Sequence, residues 1–121
     1  MVKALLDTNI LIDHLNASPQ ADVEIDRYED CAISIISWIE VMAGAEAELA
    51  EPTRAYLKGY KIIGLDDAIA ERAVSIRQSR RLKLPDAVIW ATAQTTSRLL
   101  VTRNTKDFPT DDPGVRAPYV L

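Results

Sequence analysis

Cysteine and histidine each occur once in this sequence of 121 residues, and glycine occurs only four times. The single cysteine, Cys31, cannot support a disulfide framework and is expected to be a small buried apolar residue. The single histidine, His14, cannot support a Ser-His-Asp or Cys-His arrangement without other partners. Glycine stands at positions 44, 59, 64 and 114, so the chain has no glycine-rich phosphate loop of the Walker or Rossmann type. Disulfide-based, histidine-based and nucleotide-loop sites are therefore disfavoured.

Long apolar runs are also missing, since none approaches the roughly 20 residues needed to span a bilayer. Because the first apolar run follows Met1-Val2-Lys3 directly, we expect no signal peptide. A composition of 48% hydrophobic and 26% charged residues is that of one soluble domain, covering residues 1–121. With the lone cysteine, these features predict a cytoplasmic protein. The net charge of −4 disfavours nucleic acid unless a basic surface or bridging metal ions contribute, and it suits a cationic protein partner.

Short apolar runs alternate with helix-like segments along the whole chain. Five of the runs are candidate strands, at residues 2–6, 31–36, 61–65, 99–102 and, more weakly, 119–121. Ser37 is a predicted N-cap, and with Glu40 it makes a Ser-x-x-Glu capping box for a helix that runs to about Ala50. Another helix is predicted to begin near Pro85. The alternation predicts an α/β fold around a mostly parallel sheet.

Four acidic residues stand where predicted strands end or helices begin. Asp7 directly follows the first strand, Glu40 follows the second, Asp107 follows the fourth, and Asp86 opens a helix. Each has a structural explanation when taken alone. Asp7 suits a helix cap, Glu40 a capping-box partner, Asp86 a first-turn carboxylate and Asp107 a turn residue.

The conjunction of the four acids points to a metal site. Strand ends and helix starts share one edge of a parallel sheet, so all four carboxylates can converge there. Uncompensated, they would repel one another, and one or more would have to stay protonated. A divalent cation resolves this conflict. Because the donors are oxygen atoms without nearby histidine or cysteine, Mg²⁺ or Mn²⁺ is favoured over zinc.

Four motifs in order give the chain a family resemblance. They are Leu6-Asp7-Thr8-Asn9, Ser37-Trp38-Ile39-Glu40-Val41, Leu84-Pro85-Asp86-Ala87 and Thr102-Arg103-Asn104-Thr105-Lys106-Asp107-Phe108. In these motifs the sequence resembles the PIN-domain ribonucleases, in particular the VapC toxins of bacterial and archaeal toxin–antitoxin pairs. The resemblance covers essentially the whole chain. It implies a three-layer α/β/α fold with a sheet of four to five strands.

The resemblance also implies an activity, namely endonucleolytic cleavage of RNA with Mg²⁺ or Mn²⁺ as cofactor. The metal and catalytic residues would be Asp7, Glu40, Asp86 and Asp107. Supporting contacts would come from Thr8, Thr102 and Asn104. Many relatives carry an acid at the position of Asn104. Because this sequence has an asparagine there, Asp107 is the better candidate for the fourth ligand. RNA would be steered by nearby cations, for which the candidates are Arg80, Arg81, Arg103 and Lys106.

Partners are implied in the same way: an RNA substrate, a cognate antitoxin and a second copy of the chain in a homodimer. The alternative is a catalytically silent PIN-like domain that binds only RNA or protein. A phosphotransfer domain is disfavoured. Asn9 stands where a haloacid-dehalogenase-type phosphatase needs a second aspartate, and the lysine that a receiver domain requires after its fifth strand is missing.

Overall fold

The computed structural model describes residues 2–121 and has strands alternating with helices. The strands are β1 (Lys3–Leu6), β2 (Asp30–Ser34), β3 (Lys61–Ile63), β4 (Leu99–Val101) and β5 (Val115–Arg116). The helices are α1 (Thr8–Leu15), α2 (Pro19–Asp26), α3 (Ile35–Gly44), α4 (Ala50–Leu57), α5 (Asp67–Ser79) and α6 (Leu84–Thr95), with a 3-10 helix at Ala47–Leu49 before α4. The predicted α/β class is confirmed.

Within residues 2–121 the sheet has five strands in the order β3-β2-β1-β4-β5, and all neighbours are parallel. The first strand lies at the centre, where Leu5 is level with Ala32 of β2 and with Leu100 of β4. Parallel pairing brings the carboxyl ends of all strands to one edge. The residues that follow β1 and β4 are therefore neighbours at that edge, although they are far apart in the chain.

Side chains alternate between the two faces of the sheet and build one apolar core on each. Leu5, Ala32 and Leu100 pack with residues of α5 and α6, including Ile89, Trp90 and Ala73. On the opposite face the neighbouring strand residues pack against α1, α3 and α4, in a cluster that includes Ala4, Leu6, Ile33, Val101, Ile10, Val41 and Leu57. The helices thus cover both faces, which confirms the three-layer α/β/α arrangement.

The predicted fifth strand at Tyr119–Leu121 is wrong. The fifth strand is Val115–Arg116, which pairs with Leu100 and Val101 of β4. Val115 is buried there, whereas the Tyr119 hydroxyl is turned toward helix α1 and donates to Asp13 Oδ2 over 2.8 Å. Tyr119 therefore makes a polar contact with helix α1 instead of the strand pairing that was predicted for it.

The predicted capping box is also wrong, because α3 begins at Ile35 and both Ser37 and Glu40 lie inside it. Ser34 is the N-cap, and its hydroxyl accepts the Ile36 N–H over 3.0 Å. A serine at the strand end supplies the cap earlier than expected and converts two β-branched residues into the first helical turn. The helix ends at Gly44 rather than near Ala50, as the low helix propensity of glycine favours.

Among residues 2–121, no helix has the combination of length and apolarity that crossing a membrane requires. A single domain over residues 1–121 stays a prediction, and its first residue lies outside the described part of the chain.

Candidate active site

Asp7 lies at the centre of the sheet edge and is the most enclosed of the four acids, with only 4% of its surface exposed. It is the first residue after β1 and the N-cap of α1, and its Oδ1 accepts the Thr8 N–H over 2.8 Å. Its Oδ2 accepts the Thr102 hydroxyl over 2.7 Å and the Asn9 amide over 3.2 Å. Three donors from two distant segments of the chain thus fix the direction of this carboxylate.

Burial raises the pKa of Asp7 above its ordinary value of 3.8, although the hydrogen bonds from Thr102, Thr8 and Asn9 oppose the rise. The negative charge of Glu40 raises it further. A buried carboxylate whose donors do not fully offset its desolvation gains from a nearby positive charge. The environment of Asp7 therefore favours a cation beside it.

Glu40 reaches the same edge from a helix, since it lies in the second turn of α3 rather than at a strand end. Its Oε1 lies 2.7 Å from the Thr8 hydroxyl, which also lies 3.0 Å from the hydroxyl of Ser37. Because Thr8 has one hydroxyl proton, it donates that proton to Glu40 and accepts from the buried Ser37. Thr8 thus contacts Glu40 directly and Ser37 contacts Thr8, while the supporting role of Thr8 stays a prediction.

Asp86 is the third residue of α6, directly after Pro85 in the first helical turn. Burial raises its pKa from 3.8 to about 6, and the charges of Asp7, Asp107 and Glu40 add to the rise, while Lys83 opposes it. All three other acids therefore lie within electrostatic range of Asp86. Such a perturbed group in a cluster of like charges is typical of functional sites.

Asp107 lies in the loop after β4, where the Asn104 side chain hydrogen-bonds both its carboxylate and its backbone N–H. The Asn104 amide donates to Asp107 Oδ2 over 3.0 Å, and the Asp107 N–H donates to Asn104 Oδ1 over 3.2 Å. The Asn104 N–H in turn donates to the Thr102 hydroxyl over 2.9 Å. A continuous chain of hydrogen bonds therefore runs from Asp7 through Thr102 and Asn104 to Asp107.

The donor set at this edge consists of carboxylate oxygens, with hydroxyl and amide groups behind them, which fits Mg²⁺ or Mn²⁺. Within residues 2–121, however, no three acidic, histidine or cysteine side chains stand close enough together to share one ion. The acids influence one another through space without surrounding a common point. Because Mg²⁺ is usually held by one or two carboxylates with water completing its shell, such a cation does not require all four acids around it.

The four predicted cations differ in their surroundings. Arg80, Arg81 and Lys106 are exposed, and the Arg80 guanidinium lies 5.0 Å from the centre of the Trp90 ring. Arg103 is engaged by the buried Asp13, with its Nε 2.5 Å from Oδ2 and its Nη2 2.9 Å from Oδ1. Arg103 is therefore held in an ion pair within the protein, whereas the other three side chains are exposed to solvent.

Sequence reasoning did not identify Asn9, Ser37 and Asp13 as neighbours of the acidic edge. Asn9 links the two strand ends, since its amide donates to Asp7 while its Oδ1 accepts the Arg103 N–H over 3.1 Å. A usable signal for Asn9 was its position two residues after Asp7, where a second side chain of α1 faces the sheet edge. Asp13 gave no such signal, because its partner is 90 residues away in the sequence.

A family model described as the PIN domain matches residues 4–110, which is most of the chain. The chain therefore belongs to the PIN-domain family. It is similar to a chain of a toxin–antitoxin complex from Klebsiella pneumoniae at 46% identity and a TM-score of 0.92, over 98% of this chain and 100% of that one. The VapC-like resemblance drawn from the four motifs is confirmed.

Two further solved structures are similar over nearly their whole length. One is FitAcB from Neisseria gonorrhoeae, at 25% identity and a TM-score of 0.79, covering 98% of this chain and 99% of that one. The other is a DNA-bound VapBC from Salmonella typhimurium, at 26% identity and a TM-score of 0.75, covering 96% of each. No match was found among curated protein sequences.

Proposed function

We propose that the protein is a metal-dependent endoribonuclease that acts as the toxin of a toxin–antitoxin pair. The observation that carries this proposal is the placement of four carboxylates at one sheet edge. Asp7 and Asp86 stand at the starts of α1 and α6, Thr8 contacts Glu40, and a chain of hydrogen bonds joins Asp7 to Asp107. Such a cluster costs folding free energy, and its chemistry is that of phosphodiester hydrolysis with Mg²⁺ or Mn²⁺. The similarity to a chain of the Klebsiella toxin–antitoxin complex supports the toxin role.

In this proposal Asp7 and Asp86 hold the cation most directly, while Glu40 and Asp107 orient the attacking water or help to hold a second ion. When bound, the cation would supply charge neutralisation at the phosphate and a more acidic water. Thr102 and Asn9 keep the Asp7 carboxylate in one orientation through its Oδ2 atom. Thr8 engages Glu40 Oε1, which leaves Oε2 for the water.

The substrate we propose is RNA, steered to the acidic edge by exposed cations. Lys106 lies one residue before Asp107, while Arg80 and Arg81 precede the helix that carries Asp86. Local cations are needed because the net charge of −4 repels a polyanion. A bridging divalent cation would reduce the remaining repulsion at the edge itself.

A cognate antitoxin is the proposed protein partner, and a homodimer in the cytoplasm is the proposed state. An open groove of about 430 Å³ runs between α1, α3 and α4, and Glu40 lines it together with apolar residues that include Ile12, Leu15, Val41 and Leu49. Apolar walls that end at a carboxylate suit a partner segment with apolar side chains and one cation. The chain's net acidity favours such a partner.

The test compares wild type with Asp7→Asn and with Asp111→Asn, which changes an exposed acid shortly before β5, outside the hydrogen-bond chain of the site. We expect wild type and Asp111→Asn to cleave single-stranded RNA only with Mg²⁺ or Mn²⁺, and Asp7→Asn to be inactive while retaining its circular dichroism spectrum. Cleavage by Asp7→Asn at the wild-type rate would refute the site. RNA or antitoxin binding without cleavage by wild type would favour the catalytically silent alternative.

The toxin role has its own test in cells. Expression of wild type is expected to arrest growth, and co-expression of the protein encoded by the adjacent small reading frame is expected to relieve the arrest. Asp7→Asn should leave growth unaffected at the same expression level. Equal arrest by wild type and Asp7→Asn would show that the toxicity does not come from the acidic site.

A further inference from the structure

Arg103 is placed between the acidic edge and a buried carboxylate, although its motif suggests a cation for RNA. We propose that Arg103 is a positioning residue: its ion pair with Asp13 holds the loop that carries Asn104 and Asp107 against the end of β4. The inference rests on the proposed function, which places Asp107 of this loop in the metal site. It assigns Arg103 a role inside the protein rather than on the substrate.

The Arg103–Asp13 pair has the geometry of a structural clamp. Both carboxylate oxygens of Asp13 accept from the guanidinium, and Oδ2 also accepts the Tyr119 hydroxyl over 2.8 Å. Only 6% of the surface of Asp13 is exposed. A two-bonded guanidinium–carboxylate pair fixes orientation as well as distance. Withdrawal of Arg103 toward RNA would leave a buried carboxylate with one hydroxyl partner, which is strongly unfavourable.

The clamp acts on the loop because the backbone of Arg103 is part of the site's hydrogen-bond chain. The Arg103 N–H donates to Asn9 Oδ1, and the preceding Thr102 donates to Asp7. Residues 102–114, all of them described, form no helix or strand, so isolated backbone turns and side-chain contacts together set the path of this segment. Asn104 follows directly and positions Asp107 through two hydrogen bonds.

The chain contains a matched control for this clamp. Arg116 of β5 makes the same kind of two-bonded pair with Glu24 of α2, with its Nε 2.7 Å from Oε2 and its Nη2 3.1 Å from Oε1. Glu24 is 4% exposed and also accepts the Tyr28 hydroxyl over 2.6 Å. The chemistry and burial resemble those of the first pair, although Arg27 Nε also lies 3.6 Å from Glu24 Oε1. The side chains of this pair contact none of the four acids or their hydrogen-bond partners. The backbone carbonyl of Arg116 accepts the Thr102 N–H, and Arg116→Ala keeps that carbonyl.

The experiment compares Arg103→Ala, Arg103→Lys and Arg116→Ala by three measurements: Mn²⁺ affinity by calorimetry, amide hydrogen exchange and RNA cleavage. We expect Arg103→Ala to weaken Mn²⁺ binding about tenfold or more, as for other residues that orient metal ligands. We also expect faster exchange of the Asn104 and Asp107 amides, and a lower kcat with little change in KM. Arg103→Lys should restore part of the affinity, because it keeps the charge without the planar fork. Arg116→Ala should also lower the melting temperature, by a smaller amount because Arg27 remains beside Glu24, and should leave Mn²⁺ affinity and loop exchange at wild-type values.

Two results would overturn the inference. Wild-type Mn²⁺ affinity in Arg103→Ala, with weaker RNA binding and a salt dependence reduced by about one phosphate contact, would make Arg103 an RNA contact. Equal effects of Arg103→Ala and Arg116→Ala on the loop amides would reduce the role to general stability. A wild-type protein that binds no Mn²⁺ would count against the proposed function, and the amide exchange comparison would still decide the role of Arg103.

Discussion

Replacing Asp86 by asparagine should make the metal-free protein more stable at neutral pH. Burial and the charges of Asp7, Asp107 and Glu40 raise the pKa of Asp86 from 3.8 to about 6. The folded state therefore holds the Asp86 proton more tightly than the unfolded chain does. By linkage, stability falls as pH rises from about 4 to about 6, and the loss is complete above that range. Asparagine cannot ionise, so Asp86→Asn lacks this loss.

The size of the effect follows from the shift. At about 1.4 kcal/mol for each pKa unit, a rise of about two units costs at most about 3 kcal/mol at pH 7.5. Asp86 is partly exposed, so solvent screening reduces this cost to roughly half. A carboxylate in the first turn of α6 also gains about 0.3–1 kcal/mol from the helix dipole, which asparagine loses. The combined cost of burial and repulsion still outweighs the dipole, and a net gain of about 1 kcal/mol is expected.

The assay is urea unfolding in EDTA at several pH values between 4 and 7.5. With an m-value of about 2 kcal/mol/M, a gain of 1 kcal/mol moves the midpoint up by about 0.5 M. The gain should be smallest at pH 4 and should vanish below the ordinary pKa of 3.8, where Asp86 becomes protonated in the unfolded chain as well. Asp111→Asn is the control, because its carboxylate is exposed and lies outside the hydrogen-bond chain of the site, so its removal should not change the midpoint. A stability for Asp86→Asn that equals or falls below that of wild type at pH 7.5, or a gain independent of pH, would refute the reasoning.

Three other perturbations test the surroundings of the site. Thr102→Val removes the hydroxyl that donates to Asp7 and should cost about 2 kcal/mol in urea unfolding; unchanged stability would show that water replaces the bond. Phe108→Ala empties a fully buried position whose ring packs edge-on against Trp90 at 5.7 Å and should cost about 3–5 kcal/mol; a loss below about 1 kcal/mol would contradict that packing. Burial acts to raise the pKa of Glu24, but hydrogen bonds and charges from its arginine and tyrosine partners outweigh it and lower that pKa below 4.5. Glu24 therefore stabilises the folded protein above pH 4.5, and this stability is lost as pH falls through the lowered pKa. The free energy of unfolding of wild type should exceed that of Glu24→Gln at pH 7, and the difference should shrink in acid. A difference that does not depend on pH would disprove the ion pair.

The layers of the fold could be predicted from the sequence because they depend on local patterns. Runs such as Ala4-Leu5-Leu6 are short and apolar on both sides, and the structure buries all three residues completely between two helical layers. The ends of helices and strands were less predictable, because both Ser34 and Ser37 were possible N-caps for α3. Ser34 accepts the Ile36 N–H, so α3 starts before Ser37. The edge strand Val115–Arg116 has only two residues and depends on its pairing with β4, which no local pattern reveals.

The site divides in the same way. Asp7 and Asp86 could be assigned to the sheet edge because each stands at a junction between regular elements. Glu40 reaches the edge for a different reason than predicted, namely its place in the second turn of α3 beside Thr8. The side-chain partners of Asp13 and Glu24 could not be predicted, since Arg103 and Arg116 lie 90 and 92 residues away. Buried acids of this kind are visible in a sequence only after their partners are known.

The repulsion at the acidic edge links stability to the proposed cofactor. The free energy that Asp86 costs the metal-free protein is relieved when a cation neutralises the cluster, so the same carboxylate lowers stability alone and raises it with metal. A ligand that binds only the folded state adds about 2.7 kcal/mol at a hundred times its dissociation constant. Wild type should therefore gain more from Mn²⁺ than Asp86→Asn does, and the order of their stabilities should reverse between EDTA and saturating Mn²⁺. This reversal requires that Asp86 both destabilise the metal-free protein and bind the metal. An acid with a purely structural role would not reverse the order of stability, and neither would a general loss of packing.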